Sequence, residues 1–322
     1  MAPQYANRFH PPTVSAEKKD DDTIIEQSED ESESSKTEQE KENSDDYWTE
    51  ERIQNAEPAE IDDDEKQSKD EKSKSDNNEK PGNKEPAKPD KPAQEEVLDN
   101  ELLSDAPEVP SSVGRMFFTV NGKNKYCSAS TVNNDSKNVV MTAAHCVFHK
   151  DIDDWVSNIT FVPAYYDGNA PYGKWEGKNK RVMKGWSENG YKTDYDVGLF
   201  SVHKHNGQNI VNAVGGNGYS WNYDPAQEDI WVHGYPSEPN DGKIPHYVHG
   251  NTTERLNGDA ILSYSGDLNP SGMSGAPYYR DYSKNDDTAH IYTVHSRSNK
   301  LIKRMYAYPF KENVDDMISD MK

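Results

Sequence analysis

Three short segments of the sequence each place one reactive side chain among small residues. They contribute His145, Asp196 and Ser274, in that order along the chain. A hydroxyl attacks well near neutral pH only when a base removes its proton, and imidazole has the ordinary pKa that allows this. A carboxylate can hold the imidazole in the tautomer that this requires. The three residue types together predict nucleophilic catalysis by the serine.

The serine lies in a glycine-flanked loop, residues 269–277, with the sequence Asn-Pro-Ser-Gly-Met-Ser-Gly-Ala-Pro. A carbonyl under attack becomes negatively charged, and preformed backbone N–H donors stabilise that charge. Gly272 can adopt backbone conformations that are closed to other residues. We therefore expect the N–H groups of Gly272 and Ser274 to point into one pocket and form an oxyanion hole.

The elements that must position these residues lie in the second part of the chain. Residues 1–112 carry 14 Lys+Arg against 34 Asp+Glu, a net charge of −20 out of −22 for all 322 residues. A segment so acidic and so poor in apolar residues cannot bury enough surface to offset its ordering entropy. We predict that 1–112 is a disordered acidic leader or pro-segment, in which a short helix around Tyr47–Ile61 is the single weak structural signal.

From Val113 onward, short runs rich in Val, Ile, Phe, Tyr and Thr alternate with turn formers such as Asn-Gly and Asp-Gly. These runs are 116–120, 138–142, 158–162, 197–202, 229–233 and 290–294. This pattern predicts an all-β domain over 113–322. Helical spacing occurs near the end, at Val314, Met317, Ile318 and Met321, which predicts a C-terminal helix over about 310–322.

Composition argues against several functional classes. An acidic chain without a Lys/Arg cluster is a poor nucleic-acid binder, because cationic contacts dominate that affinity. No stretch of about 18 apolar residues is present to span a membrane. Met1–Pro12 lacks the basic and then apolar pattern of a secretory signal. We expect a monomer with protein or peptide substrates, no nucleic-acid partner, no membrane span and no cofactor.

Three motifs carry a resemblance to a known family. The Thr-Ala-Ala-His-Cys segment at 142–146, the Asp-Val-Gly-Leu segment at 196–199 and the Ser-Gly-Met-Ser-Gly-Ala-Pro loop at 271–277 resemble the chymotrypsin-like serine proteases. The last two are more similar to the bacterial glutamyl endopeptidase branch than to the animal digestive enzymes. The stretch 232–236, Val-His-Gly-Tyr-Pro, is a supporting similarity. The resemblance covers Val113–Lys322.

The resemblance implies two packed six-stranded antiparallel β-barrels, followed by the C-terminal helix. The first barrel would span about 113–205 and the second about 206–308, with the active site in the cleft between them. The implied function is that of a secreted serine endopeptidase, which cuts peptide bonds through an acyl-enzyme.

Residue roles follow from the same resemblance. His145 would be the general base, Asp196 the residue that orients it and Ser274 the nucleophile, with oxyanion donors from Gly272 and Ser274. The sequence departs from the digestive enzymes at Met273, where they have an aspartate that pairs with the new N-terminal amine after activation cleavage. We expect the catalytic residues to be unaffected and that activation switch not to operate unchanged.

The two cysteines flank the histidine. The resemblance implies a disulfide between Cys127 and Cys146, whose loop would stabilise the fold by about 3 kcal/mol. A zinc site is the competing interpretation, although two cysteines at this spacing match no closed four-ligand pattern. Its other ligands would come from His145, His149, His203 or His205. A disulfide indicates a compartment outside the reducing cytosol, so we expect a secreted protein whose signal has been removed.

The resemblance also indicates a substrate pocket formed by Ser271, His295 and Ser298, in which a histidine and hydroxyls hold an acidic side chain. Such donors suit a carboxylate that enters a partly dry pocket. Ser296 would hydrogen-bond Asp196 from behind. A purely structural role for His295 stays open, and so does a protease of non-acidic specificity.

Arg297 and the acidic leader suggest further hypotheses about specificity and maturation. Arg297 either reinforces the acidic preference or faces solvent. An enzyme that cuts after Glu could process its own leader, and Glu108–Val109 is a natural maturation point. The alternative from another class is a catalytically silent, secreted binding module, since a fold does not by itself fix function.

Overall fold

The computed structural model describes residues 20–29, 47–61, 79–90, 109–255, 258–283 and 288–322. These residues form mostly β-structure with a few short helices. The strands are β1 (Ile24–Gln27), β2 (Glu57–Pro58), β3 (Gly82–Lys84), β4 (Val113–Val120), β5 (Lys123–Val132), β6 (Val139–Thr142), β7 (Phe148–His149), β8 (Asp154–Trp155), β9 (Ser157–Pro163), β10 (Trp175–Met183), β11 (Gly198–Val202), β12 (Gly218–Trp221), β13 (Ile230–Gly234), β14 (His246–Gly250), β15 (Thr253–Glu254), β16 (Ala260–Ser263), β17 (Pro277–Ser283), β18 (Thr288–Val294), β19 (Arg297–Asn299) and β20 (Arg304–Ala307). The helices are α1 (Glu50–Gln54), α2 (Lys184–Ser187), α3 (Ile210–Val214) and α4 (Glu312–Ser319).

The first half of the domain is a closed antiparallel barrel. Six strands pair around the ring in the order β4, β5, β6, β11, β10 and β9, and β9 closes it by pairing with both β10 and β4. The tight β4–β5 turn uses Asn121 and Gly122, both with positive φ, as the Asn-Gly signal predicts. Apolar side chains such as Phe161 and Phe200 fill the interior.

The second half consists of two hydrogen-bonded sheets that share one core. One has the order β14, β13, β17, β18, β12 and β3, and the other the order β15, β16, β20 and β19. The chain passes between the sheets three times: from β14 to β15, from β16 back to β17 and, through His295 and Ser296, from β18 to β19. One ladder, β12 with β18, is parallel, unlike the predicted antiparallel pattern.

The C-terminal helix is confirmed, with observed bounds Glu312–Ser319. Val314, Met317 and Ile318 are buried, as their spacing indicates. Asn134 donates from Nδ2 to the carbonyl oxygens of Ile318, at 3.2 Å, and Met321, at 2.9 Å. These bonds satisfy carbonyls that the end of a helix leaves free. Among the residues with described structure, no helix has the length and apolar character needed to cross a bilayer.

The leader contributes structure where the sequence predicted disorder. Strand β1 adds to β10, β2 lies parallel to β5, and β3 adds to β12. Disorder was therefore the wrong expectation for these three described segments, and the rest of 1–112 lies outside the described residues. The composition argument failed here because these segments do not build a core of their own. They extend sheets that the domain already provides, and leader acids meet domain bases, as in the ion pairs Glu57–Lys125 and Asp21–Lys192.

Trp48 anchors the middle of these leader segments. Its side chain is fully buried and tilts against the ring of Phe117, with 5.4 Å between centroids. The indole Nε1 donates to the carbonyl of Asn158 at 2.6 Å, and Lys174 Nζ donates to the carbonyl of Trp48 at 3.0 Å. The residue after it, Thr49, caps α1. Trp48 thus fixes the stretch of leader that leads to β2.

We predict that Trp48→Ala releases residues 47–61 from the domain while the barrel stays folded. Truncating a buried tryptophan costs about 3–5 kcal/mol, so the amide of Ala59 should exchange with solvent at least about a hundredfold faster. Hydrogen exchange read by mass spectrometry measures this, with β11 amides as internal reference and Trp48→Phe as the milder control. Unchanged protection of Ala59 in Trp48→Ala would contradict the anchor.

Candidate active site

His145 and Asp196 come together at the edge of the first barrel. His145 lies in a single 3-10 turn, Ala144–Cys146, after β6, and Asp196 precedes β11. His145 Nδ1 is 2.9 Å from Oδ2 and 3.1 Å from Oδ1 of Asp196, and the backbone N–H of His145 donates to Oδ1 at 3.0 Å. Both side chains are buried. The carboxylate thus holds both the ring and the backbone of the histidine.

Asp196 is held in its charged form by its neighbours. Burial by itself would raise the pKa of Asp196, but His145 and hydrogen bonds from His145 and Ser296 lower that pKa below its ordinary value. Ser296 Oγ donates to Oδ2 at 2.6 Å, as the sequence analysis expected of it. A charged carboxylate at Nδ1 favours the tautomer that has its proton there, which leaves Nε2 as the basic nitrogen.

The disulfide Cys127–Cys146 is confirmed and joins β5 to the turn that carries His145. Cys127, His145 and Cys146 are also close enough together to form a metal-type cluster. The two sulfurs are bonded to each other, so they cannot act as thiolate ligands. The zinc interpretation loses the cysteine ligands on which it depended.

The loop that carries Ser274 packs against the segment before His145. Gly275 has φ +82°, and a Cβ there would lie 2.1 Å from Thr142 Oγ1 and 2.8 Å from the Ala143 nitrogen. Gly272 has φ +87°, and a Cβ there would lie 2.3 Å from Tyr126 Cε2. The left-handed backbone and the close packing both require glycine at these positions. They bring the serine loop and the histidine segment side by side.

The hydroxyl of Ser274 is directed to the leader. Its Oγ donates to the carbonyl of Ala59 at 3.1 Å. His145 Nε2 is buried and has no hydrogen-bond partner among the residues that the structure describes. In this arrangement the serine bonds to the leader, and the basic nitrogen of the histidine is left unpaired.

Residues 57–60 of the leader lie across the site. The Ala59 N–H donates to the carbonyl of Tyr126 at 2.9 Å, which continues the pairing of β2 with β5. Beyond Ala59, the Glu60 carboxylate accepts from Ser271 Oγ at 2.5 Å and from Lys300 Nζ at 3.0 Å. The sequence analysis indicated a short helix around 47–61, where α1 forms, but it did not predict that the residues after this helix lie across the site. The adjacent aromatic residues 47 and 48 were the available signal, since aromatic side chains are rare in the leader.

The three predicted pocket residues are all buried, and two of them bond to each other. His295 Nε2 lies 2.9 Å from Ser298 Oγ, and the His295 ring stacks on Tyr278. Burial lowers the pKa of His295 to about 3, with a further contribution from His145. His295 is therefore neutral over the physiological range. Ser271 is the member of the set that contacts the leader carboxylate.

Arg297 follows neither sequence hypothesis. Its guanidinium is buried and pairs with the buried carboxylate of Asp259. The side chain therefore neither faces solvent nor supplies the cation that Glu60 meets. That cation is Lys300, three residues further on, which the sequence analysis did not single out.

Comparisons with known proteins agree with this geometry. A family model described as the C-terminal domain of lysyl endopeptidase matches residues 99–238. The thermostable serine protease AL20 from an extremophilic microorganism superposes with a TM-score of 0.58 at 21% identity, covering 66% of this chain and 97% of that one. The protease Anisep from Arthrobacter nicotinovorans gives 0.57 at 25% identity, covering 66% and 95%. A Glu endopeptidase gives 0.51 at 20% identity, covering 65% and 91%.

One curated relative carries a different kind of name. The chain is 31% identical over 166 residues to a Bacillus subtilis (strain 168) protein named extracellular metalloprotease. This match covers 51% of the chain and spans about half, 49%, of that relative. The name describes that protein and decides nothing about the chemistry of this chain.

The closed barrel, the family match and the superposed structures define one class. The chain has the fold of the chymotrypsin-like serine proteases.

We predict that His295 makes the fold sensitive to mild acid. An unfolded chain protonates this histidine as the pH falls below about 6.5, whereas the folded chain resists until about pH 3. Stability is thus full above the unfolded pKa and falls by up to about 1.4 kcal/mol per pH unit between the two values. The free energy of unfolding, measured with urea at pH values from 4 to 7, should depend less steeply on pH in His295→Gln than in the wild type.

Ser298→Ala serves as the matched control, because it removes the partner of His295 and retains the titrating ring. This variant should have a lower free energy of unfolding at every pH, while the dependence of that free energy on pH should stay as in the wild type. Identical slopes for wild type and His295→Gln would show that burial of this histidine does not cause the acid sensitivity.

Proposed function

We propose that the chain is a secreted serine endopeptidase that cuts after Glu or Asp through an acyl-enzyme on Ser274. The observation that carries this proposal is the imidazole of His145, which the Asp196 carboxylate holds on one side and whose Nε2 is unpaired on the other. The glycine-flanked Ser274 loop packs beside it. This arrangement suits a base, its orienting carboxylate and a nucleophile.

The reaction would begin when the leader leaves the site and the Ser274 hydroxyl turns towards His145 Nε2. That nitrogen takes the hydroxyl proton as Oγ attacks the peptide carbonyl, and Asp196 stabilises the imidazolium that forms. The N–H groups of Gly272 and Ser274 would bind the new oxyanion. His145 then gives the proton to the leaving amine. In the second half of the reaction, His145 takes a proton from a water that attacks the acyl-enzyme carbonyl, and it returns a proton to Ser274 Oγ as the acid is released.

Charge supports the acidic preference. A leader carboxylate, Glu60, is bound between Ser271 and Lys300 next to the nucleophile. A substrate lysine in the same place would face the like charge of Lys300. The proposal therefore departs from the lysyl specificity in the description of the matching family model. The glutamyl activity named for one structural relative supports it by analogy.

Secretion and synthesis as an inactive precursor complete the proposal. The disulfide suits an oxidising compartment, and the curated relative is named as extracellular. With the leader in place, Ser274 Oγ bonds to Ala59 and not to His145 Nε2, and residues 57–60 would block substrate access, so the intact chain would be a zymogen. A cut in the leader would then release this segment. Glu108, the first residue of the expected maturation point Glu108–Val109, lies outside the described residues.

We predict that a fluorophosphonate probe labels the released enzyme on Ser274. Ser274→Ala should abolish labelling and lower peptide hydrolysis by roughly 10⁵-fold or more, because no other hydroxyl replaces it. Ser263→Ala, on the exposed face of β16, should behave as wild type. A peptide library should be cut after Glu and Asp. Cleavage after Lys or Arg alone would refute the specificity, and hydrolysis retained in Ser274→Ala would refute the mechanism.

We predict that the intact chain reacts slowly because of the leader. Ala59→Pro removes the N–H that bonds Tyr126, and it should raise the rate of probe labelling at Ser274 in the uncleaved chain by about tenfold. Ala59→Ser keeps that N–H and should label as slowly as wild type. Mass spectrometry verifies that the chain is uncut. Equal labelling rates for the two variants would argue against the leader as an inhibitor.

A further inference from the structure

The carboxylate of Glu60 is bound from two sides. Ser271 Oγ donates to Oε2 at 2.5 Å, and Lys300 Nζ lies 3.0 Å from Oε1 and 2.9 Å from Oε2. Lys300 and Glu60 are each about one-third exposed, so this ion pair by itself contributes little to stability. Its importance lies in its location. The hydroxyl and the ammonium form a small carboxylate-binding site beside the nucleophile.

The position of this site relative to the serine is fixed by the leader backbone. Ala59 presents its carbonyl to Ser274 Oγ, and Glu60 is the next residue. The carboxylate therefore belongs to the residue that directly follows the carbonyl bound by Ser274. That distance is suitable for the side chain of a residue at the point of cleavage. Ser271, a predicted pocket residue, forms one wall of the site.

The buried histidine of the pocket cannot be the cation that an acidic substrate meets. His295 is neutral because burial lowers its pKa to about 3, and its Nε2 already contacts Ser298 Oγ. Arg297 pairs with Asp259. Lys300 is the cation that contacts the carboxylate in this structure, and a charge-assisted bond from an ammonium is among the stronger ones.

We propose that Lys300, together with Ser271, forms the carboxylate-binding site that selects the acidic residue before the cut, and that Glu60 occupies this site while the leader is in place. This proposal rests on the proposed function and deepens it. It makes Lys300 a specificity-determining residue for substrate side chains.

The same contacts explain why Glu60 can occupy the site without being cut there. In a substrate that is cut after an acid, one residue supplies both the carbonyl at the nucleophile and the side chain in the pocket. In the leader, Ala59 supplies the carbonyl and Glu60 supplies the side chain. The leader is therefore offset by one residue from a productive register. The Glu60 side chain fills the carboxylate site, but the carbonyl that lies at Ser274 belongs to Ala59, so the peptide bond after Glu60 is not in position for attack.

The test compares two peptides that differ by Glu or Gln at the residue before the cut. The ratio of their kcat/KM values does not depend on how much of the full-length protein is active. Lys300→Met should lower the Glu/Gln ratio at least about tenfold, and Lys300→Arg should retain most of the preference. Lys303→Met is the matched control, since Lys303 binds a loop carbonyl at Gly266 instead.

Each outcome is decisive. A Glu/Gln ratio that is unchanged in Lys300→Met would overturn the proposal while leaving the endopeptidase intact. A loss of preference at a different peptide position would overturn it as well. If neither peptide is cut and the probe does not label Ser274 in wild type, the proposed function fails instead, so the two failures are distinguishable.

A second measurement examines the site without catalysis, in full-length protein that carries Ser274→Ala throughout. Glu60→Gln and Lys300→Met should each speed amide exchange in residues 57–61, and the double variant should exchange no faster than either one, because both remove the same contact. The charge swap Glu60→Lys with Lys300→Glu should restore protection. Exchange that is unaffected by both single variants would show that Glu60 does not occupy this site.

Discussion

The pairing of His145 with Asp196 is the constraint on which the rest of the domain depends. A buried carboxylate is costly unless charged or polar partners surround it. Here the partners come from distant parts of the chain: the ring and backbone of His145 after β6, and the hydroxyl of Ser296 at a corner of the second half. Both halves must therefore be correctly packed for Asp196 to be satisfied. The site and the interface between the halves form as one unit.

The leader packs against the folded domain and adds strands to its sheets. It has too few apolar side chains to fold by itself, yet one tryptophan enters the barrel surface and three short strands extend existing sheets. Opposite charges then align the segments, because the leader carries most of the negative charge of the chain. Backbone pairing next to Ser274 needs no particular side chains, which is why an acidic sequence with few apolar residues can lie across the candidate site.

Much of the fold and the candidate site could be predicted from the sequence. Short motifs identified His145, Asp196 and Ser274, because each needs small neighbours that leave a local signature. The C-terminal helix followed from its spacing, and the disulfide from the family resemblance. The leader strands could not be predicted, since their partners lie far away in sequence. Lys300 was missed for the same reason: a surface lysine has no local signature, and only the position of Glu60 distinguishes it.

The corner between β18 and β19 has a consequence for how such an enzyme can change. His295, in the pocket wall, and Ser296, which supports Asp196, are consecutive residues at the point where the chain crosses from one sheet to the other. A backbone shift that moves His295 must also move the hydroxyl that supports the Asp196 carboxylate. The predicted pocket and the predicted orienting carboxylate are linked through the backbone at this corner, so mutations that change one are constrained by the other. Lys300 lies just after β19, outside that linkage, so the proposed preference for acidic residues can change there without a change at this corner.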